Sequence, residues 1–191
     1  MVQDSRFMKL MSSLIFIVAI TASCSGHDGK SSAPAAVGTP AATDTKVVQD
    51  FVQDFYNWYV PAVASRGSVR TADIALRDRA SAFDPSLARQ LKEDSDAQAK
   101  VHDDIVGLDF DPFLFAQDAC QRYEVLNVQK RPDSYLVDVR GVGGCEKHDA
   151  VDVIAEVASR NGAWVFVNFH YPGPDATNLM AVLKQLSDAR R

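Results

Sequence analysis

The chain has 191 residues, with 25 acidic and 20 basic side chains, a net charge of −5 and a hydrophobic share of 47%. No basic stripe interrupts that mild acidity, so nucleic acid is excluded as a partner, because phosphate binding needs clustered Lys and Arg. Length and apolar content suit one hydrophobic core and one domain.

Met8 to Cys24 reads MKLMSSLIFIVAITASC. Lys9, the short apolar run Leu14–Ile20, the small residues Thr21-Ala22-Ser23 and then Cys24 follow the order of a bacterial lipoprotein signal. The run is too short to span a bilayer, which takes about 20 apolar residues. Translation from Met1 or from Met8 would leave this signal intact. We expect residues 1–23 to be a leader and Cys24 to be lipidated, anchoring the protein in the cell envelope facing the periplasm. Thr21 stands where such signals usually hold Leu, so cleavage after Ser23 to a soluble periplasmic form is the alternative. Ser25, in place of Asp, resembles signals for the outer membrane. Loss of the leader removes Arg6, Lys9 and Asp4 and leaves a net charge of −6.

Residues 24–43 are rich in Ser, Gly, Ala and Pro, cannot bury a core, and read as a flexible tether. The domain is expected over 44–191. Val48, Phe51, Val52, Phe55 and Tyr59 recur at helical spacing, with Asp44 or Thr45 as the cap and Pro61 as the end. A second helix is predicted over Arg70–Arg79. Asp84-Pro85 starts a third, with Leu87 and Leu91 on its apolar face. The polar run Lys92–Lys100 reads as solvated.

Ile105–Asp118 mixes Phe110, Phe113 and Phe115 with Asp109, Asp111 and Asp118. It reads as an ordered loop that buries its aromatics, since Asp111-Pro112 favours a turn. Period-two alternation follows over Arg122–Gln129 and Ser134–Val142. A turn centred on Pro132-Asp133 sets Leu126 against Val139, Val128 against Val137 and Asn127 against Asp138. The same register brings Cys120 opposite Cys145, and an oxidising compartment would join them. The glycines at 141, 143 and 144 are places where a bulge would shift this register by one. Val151–Ser159 and Ala163–Tyr171 form a second hairpin around Asn161-Gly162, the favoured pair for a type I′ turn. Asp175 is taken as the cap of a last helix, with Leu179, Val182, Leu183 and Leu186 on one face. The order describes an α+β domain: helices on one face of a curved four-stranded antiparallel meander, then a C-terminal helix.

Phe55-Tyr56-Asn57-Trp58-Tyr59, the run Asp109-Phe110-Asp111-Pro112-Phe113-Leu114-Phe115-Ala116-Gln117-Asp118, and Gly162-Ala163-Trp164 through Tyr171 together resemble a family of bacterial periplasmic proteins and lipoproteins of unknown function. The resemblance covers about residues 46–186 and centres on the motif D-x-D-P-F-x-x-A-Q-D. That family is similar in fold to nuclear transport factor two and to cystatin-like cones. It implies a cavity between the helices and the concave sheet face, and it implies no activity, because this fold hosts enzymes and inert binders alike.

Within such a cavity Tyr56, Tyr59, Asp109, Asp111, Phe113, Asp118 and His170 are the candidate ligand-binding residues. The acidic loop lacks the turn glycine and closing Glu of a calcium loop, so no metal and no cofactor is expected. No nucleophile elbow or zinc-spaced His/Glu motif occurs in the sequence. The expected role is therefore a non-enzymatic binding module for a periplasmic protein or small ligand. The alternatives are an immunity or inhibitor protein against a secreted effector, and a small-molecule enzyme using His170 with an acid of the 109–111 loop. The polar strip Asn127, Gln129, Asp138 and Arg140 would be the surface of a homodimer.

Overall fold

The computed structural model describes residues 40–65, 70–145 and 150–191. The expected leader, Cys24 and most of the expected tether lie outside the described residues. Four helices, α1 (Pro40–Ala64), α2 (Thr71–Asp78), α3 (Pro85–Gln98) and α4 (Leu179–Ala189), accompany an antiparallel sheet. Its strands are β1 (Arg122–Lys130), β2 (Tyr135–Val142), β3 (Val153–Arg160), β4 (Ala163–Tyr171) and β5 (Thr177–Asn178), in that spatial order. The domain is α+β as expected, but the meander has a fifth, two-residue strand. The pattern missed it because two residues are too few for a periodicity.

Asp44 and Thr45 lie inside α1 rather than at its start, and Pro61 is within the helix rather than at its end. Proline denies Asn57 its i+4 partner, yet both residues are exposed, so water can satisfy that carbonyl and the helix continues to Ala64. Asp84 caps α3 as expected, its carboxylate accepting from Ser86 N at 2.9 Å with Pro85 at the first position. Asp175 does not cap α4. Asn178 does, accepting from Ala181 N at 3.0 Å, because the chain first adds β5 to the edge of β4.

The second hairpin closes at Arg160↔Ala163, with Asn161 at φ 52° and Gly162 at φ 81°, as a type I′ turn requires. The first hairpin keeps the expected register from Lys130↔Tyr135 to Asn127↔Asp138 and then shifts, so that Val125 rather than Leu126 faces Val139. Leu126 is the extra residue of a bulge and is 43% exposed. The bulge therefore falls in β1 and not at the glycines. The disulfide Cys120–Cys145 forms just beyond the ladder, with Cα atoms 4.9 Å apart. Gly141 gives it room, since a Cβ there would lie 2.4 Å from Cys120 Sγ.

Alternate residues of the strands build the core. Val137, Val139, Val153, Ala155, Val157, Phe166 and Phe169 are buried on the inner face, under Val48, Val52, Phe55 and Tyr59 of α1 and Leu87 and Leu91 of α3. Phe55 is its hub, with the rings of Phe83, Phe113 and Phe166 all within 5.8 Å. Gln53, on α1, covers part of the open edge of β1: its amide donates to Tyr123 O at 2.9 Å and accepts from Val125 N at 2.9 Å.

Candidate functional site

The loop from Val101 to Ala119 has no regular structure of its own, so its backbone polar groups must find partners elsewhere. Two carboxylates and three tyrosines supply them. At its start, Asp94 of α3 accepts from Leu108 N at 2.9 Å and holds Arg190 at 2.6 Å, and Arg190 donates onward to Val106 O at 2.7 Å. Gln98 accepts from Val106 N and Gly107 N. Gly107 is needed for this approach, since a Cβ would lie 2.9 Å from Asp94 Oδ2. The expectation that Lys92–Lys100 is solvated is thus corrected, because Asp94 and Ser95 are buried. Their spacing carried the signal: 94 and 95 continue the stripe of Leu87 and Leu91 around the helix.

At its centre Asp111 folds the loop onto itself. One carboxylate oxygen accepts from Phe113 N at 2.9 Å and Leu114 N at 3.2 Å, and the other accepts from the Tyr59 hydroxyl at 2.9 Å. The Thr71 hydroxyl joins the same cluster. Asp111 N donates to Ala116 O, closing a six-residue turn. The Tyr56 hydroxyl donates to Phe113 O at 2.8 Å and the Tyr171 hydroxyl to Pro112 O at 2.9 Å. Three phenols from α1 and β4 thereby grip three consecutive loop residues from the core side.

Burial pushes the Asp111 carboxyl up to about 6, against the opposing pull of its donors. Burial likewise pushes Tyr56, Tyr59 and Tyr171 well above the usual phenol range, with the Asp111 charge adding to it. All three phenols stay protonated at neutral pH and act as donors. Phe115, at the tip, holds φ at 50°, a left-handed conformation that costs a bulky residue on the order of 1 kcal/mol or more. Its ring stacks on Tyr171 at 4.4 Å and 8°.

Between this loop and helices α2 and α3 lies a cleft of about 430 Å³, in the range of ligand sites. Arg70, Thr71, Ser95, Asp109, Phe110 and Gln117 are among its lining residues. Arg70 donates to Ser95 at 3.0 Å, and Ser95 donates to Asp73 at 2.6 Å.

The sequence-predicted site residues fall into three places. Tyr56, Tyr59 and Phe113 are core, gripping the loop or filling space beneath it. Asp109 and Asp111 border the cleft, the first exposed and the second buried, while Asp118 is exposed away from it. His170 stands apart. Its neighbours Phe169 and Tyr171 point into the core, so alternation sends His170 to the outer face, where it meets Glu156 at 2.9 Å. Glu156 also accepts from Ser134 at 2.9 Å. The pairing of His170 with an acid of the 109–111 loop is therefore corrected: the sheet separates them. Arg70, Thr71, Asp94 and Ser95 are site residues that sequence reasoning missed. Among the described residues, no three His, Cys, Asp or Glu side chains gather to hold a metal ion.

No family model and no curated protein matches the chain. Among solved structures it is similar to a protein of unknown function from Bacteroides thetaiotaomicron VPI-5482, at 17% identity and a TM-score of 0.48, covering 68% of this chain and 93% of that one.

Proposed function

We propose that this protein is a lipid-anchored binding module of the cell envelope, with Cys24 in the membrane and a cone-like domain of the nuclear-transport-factor-two type at the end of its tether. The ligand or protein partner is taken at the cleft beneath the 108–119 loop. The observation that carries the reading is the pinned loop. Its carboxylate, the phenols and the Thr71 hydroxyl are committed to holding a rigid wall, and Asp109 and Gln117 at the rim can serve recognition. The Cys120–Cys145 bond supports export to an oxidising compartment. The placement of His170 and the loop acids on opposite faces of the sheet favours binding over acid–base catalysis, which needs the two groups within hydrogen-bond reach.

The test is crosslinking and recovery of the full-length protein from envelope membranes, beside Cys24→Ala and the cleft-filling Ala119→Arg. Partners enriched over an unrelated lipoprotein and lost with Ala119→Arg would support the reading. Equal recovery with Ala119→Arg, or fractionation of the wild type with its leader intact in the cytosol, would overturn it.

A further inference from the structure

We infer that the rim of this cleft is a saccharide-binding site, with the ring of Phe115 as its stacking platform. The inference rests on the binding-module reading and names the ligand class. Phe115 is 44% exposed, although one of its faces is fully engaged by Tyr171. That exposure leaves part of the ring available to a ligand. Phe110 meets both rings edge-on, at 5.5 Å each, which fixes the platform in orientation. Phe115 does not itself line the cleft, but its ring partner Phe110 does, as do Leu114, Ala116 and Gln117 on either side of it, so the platform stands at the cleft's margin.

The backbone at 115 adopts a conformation that glycine would take without strain, yet a large apolar ring stands there. Its chemistry selects the ligand. An aromatic face carries negative charge density, which attracts the polarised C–H bonds on the flat side of a sugar ring. Asp109 and Gln117 offer acceptors for hydroxyl groups beside it. Between residues 101 and 121 there is no Lys or Arg, and Arg70 on the cleft's other wall is already held by Ser95 and Asp73, so the site is not built for a phosphate or carboxylate.

The experiment is saturation-transfer NMR on the full-length protein, with the tetrasaccharides of N-acetylglucosamine and of glucose as probes and spermidine as a cationic comparison. We expect transfer to the ring C–H protons of at least one sugar and not to spermidine. Phe115→Ala should weaken that binding about tenfold or more, whereas Phe115→Trp, which keeps a ring, should stay within about threefold. Phe115→Gly removes the ring while relieving the backbone, so a lost signal in a variant that melts no lower than wild type assigns the loss to the platform. Transfer to neither sugar, transfer to spermidine instead, or unchanged sugar binding in Phe115→Gly would each overturn the inference. If the sugars fail while Ala119→Arg still abolishes partner recovery, the binding module stands and the saccharide falls.

Discussion

Asp94 and Asp111 are two buried carboxylates that fasten the same loop six residues or fewer from its middle, and they do so by opposite means. Asp94 faces a guanidinium from the far end of the chain, Arg190, and shares the loop's backbone with it. Asp111 accepts only from neutral groups: two amides, a phenol and a hydroxyl. A buried anion beside a cation is stabilised by that charge and harmed by losing either partner. A buried anion among neutral dipoles is well oriented but keeps its desolvation penalty, and protonation relieves it. The first arrangement ties the C-terminal helix to the loop. The second makes the loop's own shape sensitive to acidity.

The largest expected effect breaks the charged anchor. Asp94→Ala leaves Leu108 N without its acceptor and Arg190 without its counter-charge, and should cost about 4 kcal/mol in denaturant titration. Next is the covalent anchor at the other end of the loop. Replacing Cys120 and Cys145 together by Ala opens a link spanning 25 residues and should cost about 3 kcal/mol, read as a lower urea midpoint under non-reducing conditions.

Titration of the uncharged-donor anchor follows. The folded-state value of Asp111, about 6, lies above the ordinary 3.8, so its stabilising effect is complete below pH 3.8 and is lost as pH rises through 6. That loss should approach 3 kcal/mol, about the value of two pH units. It should appear as the difference between wild type and Asp111→Asn across pH 4 to 7, where the amide removes the slope. The smallest effect sharpens the contrast directly. At pH 7, Asp94→Asn should cost about 2 kcal/mol, while Asp111→Asn should be neutral or stabilising. Equal costs would mean that both anchors work by the same physics.

Much of this frame was legible. Asn161-Gly162 dictated a two-residue turn through its positive φ values, and Asp84-Pro85 dictated a helix start through a side-chain acceptor and a preset φ. Both signals are local, so tertiary packing had little to override. The bulge at Leu126 was hidden because Val125 and Leu126 are both apolar and either can face Val139. The role of Asp94 was hidden because its cation lies 96 residues away in sequence, and a carboxylate in a polar run looks solvated until that partner is known. For the site, Asp111 was visible as a turn residue, but its clasp needs phenols from α1 and β4 that spacing alone cannot bring together. Alternation along β4 sets His170 and Tyr171 on opposite faces, a signal the choice of His170 as a cavity residue overlooked, and the phenol, not the imidazole, is the group at the loop.

The side-chain amide of Gln53 stands in for a neighbouring strand along β1, occupying one donor and one acceptor that would otherwise be open to another chain. A bare sheet margin is a template on which copies of a chain can zip together into ribbons. One glutamine, assisted by the bulge beside it, closes that stretch of the margin to pairing with another strand.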